Sequence, residues 1–319
     1  MIEGLIIRST GSWYDVKLAT GEMISCRMIG KFRLDGKKVT NPVAVGDRVM
    51  LEIEKGGDTD STRGVIKEIV DRKNYVIRQS PRKKHFLHII AANIDQALLV
   101  VTIRQPKLKQ GFIDRFLLMT EPYNIPVHLV FNKGDLYTDD DLEVYQYLKD
   151  IYEKIGYHCY ITSALEKKGI KRISEAIKGK TTLFSGQSGV GKSSLLNELH
   201  PSLDIKTKDI SNYTGKGQHT TTFAEMFDIG DDTRIIDSPG IKTLSFNHME
   251  VQDVAHNFKE FFRVSPHCKF QDCTHRNEPK CQVKSEIENG EISELRYNNY
   301  LQLLEEVEDQ NYWERHDNY

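Results

Sequence analysis

The sequence predicts a multidomain fold in three parts: a small five-stranded β-barrel, a central α/β domain on a mainly parallel sheet, and a helical C-terminal module. Three observations carry this. Short runs rich in β-branched residues crowd residues 1–72, and from residue 91 apolar strands alternate with helical patterns. Then three of the five cysteines fall with a histidine inside residues 268–281. The divisions are 1–72, a basic linker at 73–90, 91–244 and 245–319. Hydrophobic residues make up 39% of the 319, enough to fill cores in more than one domain.

The barrel strands are LIIRS, YDVKL, EMISCRMI, RVMLEI and GVIKEIV, separated by ATGE, DGKK and EKGGDTD. Five strands at this spacing suit a closed barrel of OB or SH3-like type. Residues 71–88, DRKNYVIRQSPRKKHFLH, are basic and carry a proline, so they read as a linker or extended arm. Beyond them, IDQALLVVTI, IPVHLVF, YHCYIT and TTLFS are apolar strands, with GFIDRFLLMTEP and DDLEVYQYLKDIYEKIG as intervening helices. The helix SSLLNEL and the strands TTFAEMFDI and TRIIDSPG complete the α/β part. A final helix spans about 284–308, with Ile292, Leu295, Leu304 and Val307 as its apolar face.

The net charge of −2 is unevenly spread: residues 1–90 carry 17 Lys/Arg against 11 Asp/Glu, and residues 282–319 carry 3 against 10. A basic front end suits nucleic acid, because cations that neutralise phosphates release counterions. No apolar run reaches the ~18 residues that a membrane span needs. The start, MIEGLIIRSTGSW, lacks the basic and long apolar regions of a secretory signal, which gives a cytoplasmic reading.

GQSGVGKS at 186–193 fits G-x-x-x-x-G-K-[ST], with an apolar strand before it and a helix after it. The residues that would cradle phosphate are Gly186, Gln187, Ser188, Gly189, Val190, Gly191, Lys192, Ser193 and Ser194. Backbone N–H groups of 189–192 curl around the β-phosphate at a helix N-terminus, and Lys192 bridges the β- and γ-phosphates. The Ser193 hydroxyl is placed to ligate Mg²⁺. In IIDSPG, Asp237 ends a strand where it can hold the same ion, and the Gly240 N–H can meet the γ-phosphate.

FNKGD at 131–135 has the form Asn-Lys-x-Asp. One carboxylate, Asp135, can accept from both N1–H and N2–H₂ of guanine, for which adenine has no matching donors. Asn132 would tie loops together and touch the base edge, and the Lys133 stem would cover a ring face. ITSA at 161–164 supplies Ser163 and Ala164, whose backbone N–H would meet the guanine O6. The pattern predicts binding of GTP and GDP. The motifs run Asn-Lys-x-Asp, Ser-Ala, phosphate loop, switch, Asp-x-x-Gly, a rotation of the usual order that begins with the phosphate loop. Rotation leaves sheet and pocket intact because domain termini lie close together on the surface.

The position after Asp-x-x-Gly, where a water-orienting Gln is common, holds Ile241, which cannot hydrogen-bond through its side chain. His219 in NYTGKGQHTTTF, where Gly215 and Gly217 would suit a mobile segment, is the candidate to orient water, and Thr221 to sense Mg²⁺. The catalytic set is therefore His219, Lys192, Thr221 and Asp237, with Ser193, Thr221 and Asp237 on Mg²⁺. Cys268, Cys273, His275 and Cys281 form C-x₄-C-x-H-x₅-C, a tetrahedral donor set for one structural Zn²⁺ per chain with no open position. Cys26 and Cys159 sit in strand patterns and read as core.

Together, the barrel segment VAVGDRV, NIDQALLV, GQSGVGKSSLLNEL, GKGQHTTT, DSPG, the cysteine module and RYNNYLQLLEE resemble the ribosome small subunit-dependent GTPase A family over essentially the whole chain. Gln218 departs from the family, where a basic residue precedes the switch histidine. The resemblance implies an OB-fold N-terminal domain and GTP hydrolysis stimulated by the small ribosomal subunit. It also implies a role late in subunit maturation, through rRNA binding and release of an assembly factor. In that family too, a switch histidine stands in for the missing Gln, and Thr221 matches the Mg²⁺-sensing threonine. The barrel residues with the right chemistry for RNA are Trp13, Tyr14, Lys17, Arg27, Lys31 and Arg33. A monomer with no membrane partner is expected. The competing reading is a GTP-dependent switch or metallochaperone-like module away from the ribosome, and a weaker third is an ATPase.

Overall fold

The computed structural model describes residues 1–28, 41–54, 63–79, 87–109, 111–203, 205, 224–240, 244, 246 and 249–316. The first five strands are β1 (Ile2–Ser9), β2 (Tyr14–Leu18), β3 (Met23–Met28), β4 (Arg48–Glu54) and β5 (Arg63–Ile69). They pair in the order β1-β2-β3-β5-β4 and close through β1–β4, with β3–β5 the parallel pair. This closed ring is of OB type. Alternation aims Ile6, Val16, Ile24, Cys26, Val49, Leu51 and Ile66 inward. Gly64 is needed where the ring narrows, since a Cβ there would lie 2.7 Å from Cys26 Sγ.

Tyr14 corrects one expectation. It is 2% exposed, packs in the barrel core and donates from its hydroxyl to Asn41 Oδ1 at 2.6 Å, so it offers no ring for stacking on RNA. The basic segment at 73–90 is also more than a linker: β6 (Tyr75–Gln79) and β7 (Leu87–Ala92) form an antiparallel pair. Its apolar positions, Ile77, Leu87 and Ile89, pack with Ala44 of the barrel, which linker composition hid. Gly46 lets the barrel touch this pair, because a Cβ would meet the Ala92 carbonyl at 2.0 Å. A buried Arg72–Asp47 ion pair at 2.7 Å closes the same junction.

The α/β domain contains β8 (Gln96–Val101), α1 (Gly111–Thr120), β9 (Val127–Phe131), α2 (Asp139–Ile155), β10 (His158–Ile161), α3 (Ile170–Ile177), β11 (Thr181–Gly186), α4 (Lys192–Leu199), β12 (Glu225–Asp228) and β13 (Arg234–Asp237). Strand order is β10-β9-β8-β11-β13-β12, parallel except for β12. Continuous apolar runs are what two covered faces require. Leu99, Val101, Leu129, Phe131, Leu183 and Ile236 face α1, α2 and the C-terminal helices; Leu98, Val100, Val130, Phe184 and Ile235 face α3 and α4. α3 was not foreseen, because IKRISEAI supplies only Ile173 and Ile177 as fully buried positions. β12 also pairs with β1 through Arg8 and Glu225, and Lys17 lies 3.1 Å from Asp228, so barrel and α/β sheet are continuous.

The C-terminal module has α5 (Val251–His256), α6 (Lys259–Val264), α7 (Gln282–Glu288) and α8 (Glu294–His316). The single helix expected at 284–308 is thus two. Asn289 and Gly290, with Gly290 at φ +75°, end α7, and Ile292 is buried in the connection. Arg296 on α8 is 1% exposed and joins three elements: it donates to Glu260 on α6 at 2.7 and 3.0 Å and to Asp114 on α1 at 2.6 Å. Tyr152 on α2 donates to the same Asp114 oxygen at 2.6 Å. Arg296→Met would leave two buried carboxylates without their cation. It should cost about 3–5 kcal/mol, read as earlier urea unfolding and faster amide exchange in α8.

Candidate active site and metal cluster

The ends of β11, β13, β9 and β10 bring the four nucleotide motifs to one edge of the sheet. This is where ligands sit in open α/β sheets, outside the carboxyl ends of the strands. β11 runs into the phosphate loop, which turns through Gly189 and Gly191 at φ +87° and +85° before α4 begins at Lys192. Ser188 and Gly189 are exposed at the mouth, while Val190 is buried and anchors the loop. Gly240 lies beside Ser188, whose backbone N would be 3.3 Å from an added Cβ.

Lys192 is 8% exposed and its ammonium pairs with Asp237 at the end of β13. Burial pushes Lys192 down to about 8. Its partner is the Asp237 carboxylate, so two groups of opposite formal charge meet between the phosphate-loop sequence and the end of β13.

Asn132, 1% exposed, joins the motifs that the chain order separates. Its Nδ2 donates to the Val190 carbonyl at 2.9 Å, and its Oδ1 accepts from Thr162 Oγ1 at 3.0 Å. A Cβ at Gly191 would lie 2.5 Å from that Nδ2, so glycine is required there for approach as well as for φ. Lys133 sits in the left-handed region at φ +62°, and the next N–H, of Gly134, donates to the Thr162 carbonyl at 2.9 Å. The Ser163 hydroxyl donates to Asp135 Oδ1 and accepts from the Glu166 N–H at 3.0 Å. The Ser163 N–H donates to the Lys168 carbonyl at 3.0 Å, and Ala164 beside it is half-buried. Thr162 was missed from sequence; its place directly before Ser-Ala was the available signal.

His219, Thr221, Gly215, Gly217, Gln218 and Ile241 lie outside the described residues, as do Lys31 and Arg33. On the barrel, Trp13 is 39% exposed with the Arg63 guanidinium 5.5 Å from its ring centroid, and half-buried Lys17 and exposed Arg27 form ion pairs with Asp228 and Glu54.

Cys268, Cys273, His275 and Cys281 converge, with all donor atoms within 4.8 Å of one another. Metal–sulfur bonds of about 2.3 Å place tetrahedral donors about 3.8 Å apart. Cys268 and Cys281 Sγ lie 3.8 and 3.4 Å from His275 Nδ1, which fits such an ion. Burial lowers the His275 imidazole and favours the neutral form a ligand needs. Around the donors, the Gln282 N–H reaches Cys268 Sγ at 3.3 Å, and the Tyr297 hydroxyl donates to the His275 carbonyl at 2.7 Å. Glu278 was not anticipated. Burial opposes its charge, but the Thr274 hydroxyl and the N–H groups of Thr274 and Arg276 outweigh that and hold it at about 2.

The family model for RsgA GTPase matches residues 69–247, and that for the RsgA N-terminal domain matches 3–62. The chain belongs to the RsgA GTPase family. It is a GTPase, and its fold is the circularly permuted form. It is 48% identical over 311 residues to the small ribosomal subunit biogenesis GTPase RsgA of Bacteroides fragilis (strain YCH46), covering 98% of this chain and 99% of that one. The crystal structure of YjeQ from Thermotoga maritima aligns with TM-score 0.73 at 36% identity, covering 96% of this chain and 98% of the other. YloQ, a circularly permuted GTPase, aligns with TM-score 0.70 at 31% identity, covering 97% and 96%. Among the described residues no helix is long and apolar enough to cross a membrane.

Two outcomes test this geometry. Gly191→Ala combines backbone strain with a clash on Asn132; at about 1–3 kcal/mol it should weaken GDP binding roughly ten- to a hundred-fold in a fluorescent-nucleotide titration. Cys281→Ser removes one of four donors, and elemental analysis after dialysis should show loss of stoichiometric metal, with GDP binding retained.

Proposed function

We propose that this chain hydrolyses GTP on the small ribosomal subunit as a timing step late in subunit maturation, with the barrel on rRNA and turnover linked to release of an assembly factor. The observation that carries the reading is near-full-length similarity to proteins named small ribosomal subunit biogenesis GTPases, in a chain whose nucleotide motifs converge. The working divisions are 1–72 for RNA contact, 73–90 as connector, 91–244 for the nucleotide and 245–319 for the metal module.

Asp135, fixed by Ser163, accepts from the guanine edge; Ala164 N–H meets O6; Asn132 holds the pocket and touches the base edge; Lys133 covers the ring. Gly186 to Ser194 wrap the phosphates, with the Lys192 ammonium swinging from Asp237 to the β- and γ-oxygens. Ser193, Asp237 and Thr221 would hold Mg²⁺, which neutralises charge developing on the phosphoryl oxygens. His219 orients the attacking water, replacing the usual Gln that Ile241 cannot mimic. The three thiolates and one imidazole suit zinc, held without an open position and so structural. On the barrel, Trp13, Lys17, Arg27, Lys31 and Arg33 form the RNA-facing set, joined by Arg63 through its contact with Trp13. The protein acts as a cytoplasmic monomer.

Isolated small subunits should raise GTP turnover at least about ten-fold, and the gain should fall steeply with added salt because phosphate contacts release counterions. Turnover indifferent to ribosomal particles would instead favour a switch acting elsewhere. His219→Ala should lose about 10²–10³-fold of the stimulated rate while still binding GTP; full stimulated turnover would remove His219 from catalysis.

A further inference from the structure

The segment following β8, residues 102–109, carries none of the four nucleotide motifs, yet it touches two of them. The Gln105 carbonyl accepts from the Lys133 ammonium at 2.8 Å. Pro106 lies beside the phosphate loop, its Cδ 3.8 Å from where a Gly189 Cβ would be. The Pro106 carbonyl in turn accepts from Thr102 Oγ1 at 2.6 Å, folding the segment on itself. Its fixed point is a side chain two residues past Asp135. The Tyr137 hydroxyl accepts from the Ile103 N–H at 3.1 Å and donates to the Asn132 carbonyl at 2.8 Å. One oxygen therefore bridges the backbone of the segment to the backbone of the base-reading turn.

That bridge sits at a strained place. Lys133 follows Asn132 at φ +62°, a region a long side chain occupies only when its surroundings impose it. The Asn132 N–H is held by the Val101 carbonyl at 2.8 Å and the Gly134 N–H by Thr162, which leaves the carbonyl between Asn132 and Lys133 to be fixed by Tyr137. Rotating that peptide would swing both Lys133 and Asp135 relative to the phosphate loop.

We propose that Tyr137 is a positioning residue for guanine recognition: its hydroxyl locks the Asn132–Lys133 peptide against residues 102–109, and so fixes the lysine that covers the base and the carboxylate that reads its edge. This rests on the guanine-pocket reading of Asn132, Lys133 and Asp135. The role is uniform toward GDP and GTP, since the bridge lies on the base side, away from the reacting phosphate. It should act on selectivity, because the contact between Asp135 and the exocyclic N2–H₂ depends on angle more than does phosphate binding.

The test is Tyr137→Phe, which keeps the ring and removes the bridging oxygen. GDP and GTP affinity should each fall about five- to ten-fold, as for loss of a bridge that leaves the Ile103 N–H and the Asn132 carbonyl without their hydroxyl partner. KM for GTP should rise in proportion while kcat holds, and the preference for GDP over IDP, which lacks the 2-amino group, should narrow at least three-fold. Unchanged GDP affinity, or equal losses for GDP and IDP with the preference intact, would overturn the assignment, the second outcome meaning general loosening. Asp135→Asn in parallel tests the underlying reading, since an amide there should favour XDP, whose C2 carries a carbonyl. Failure of that switch would sink the guanine pocket itself; a successful switch beside an unaltered Tyr137→Phe would sink the Tyr137 role alone.

Discussion

A single buried amide holds the nucleotide site in one piece. Asn132 comes from the strand that opens the base-reading half, and the loop it grips through Val190 comes later in the chain. Folding of the sheet brings the two strand ends to one edge, and the Asn132 side chain spans what separates them. Thr162 completes the junction from a third strand end, and Gly191 makes room for it. An amide suits this place because it donates and accepts at once, and because burial makes an unmet half costly. Strand order β10-β9-β8-β11-β13-β12 is what makes the meeting possible: every contributing strand is parallel and ends at the same edge.

Much of this was legible in the sequence because it is written in short, spaced signals. The five barrel strands, the parallel strands, the phosphate loop and the cysteine cluster each depend on local pattern, and each lies where its pattern put it. What escaped depends on contacts between distant segments. Tyr14 has the composition of a stacking residue, but alternation along β2 turns it inward to Asn41. The β6–β7 pair looked like linker because residues 71–88 hold seven charged side chains against five apolar ones, and the apolar ones gain meaning only through contacts such as that with Ala44. Arg296 gave no sign of burial, since an arginine followed by Tyr, Asn and Asn reads as a solvated helix face. Its partners are Asp114 and Glu260, far away in sequence.

Charge is used in two ways. Buried ions sit at joints: Arg72 with Asp47 between barrel and hairpin, and Arg296 with Asp114 and Glu260 between the α/β domain and the metal module. Such pairs specify one docking geometry, because any other leaves a charge stranded. Lys192 and Asp237 are different, as both also have phosphate and metal chemistry open to them. The metal cluster adds a third device, in which Glu278, Tyr297 and the Gln282 N–H orient the donors so that a loop with little apolar content keeps one shape.

The pairing of Arg8 with Glu225 bears on how the chain assembles. The barrel can close on strands that all lie within its first 69 residues, so it is free to form while the rest is still being made. Its outer edge on β1, however, must wait for β12, which emerges only after the base-reading strands and the phosphate loop. Closing a contact across that span is slow and leaves a strand edge uncovered in the interval. The seam between barrel and sheet thus closes late, and only the joints made by the C-terminal helices wait longer, so a barrel locked to its sheet marks a chain whose base-reading strands and phosphate loop have already been made.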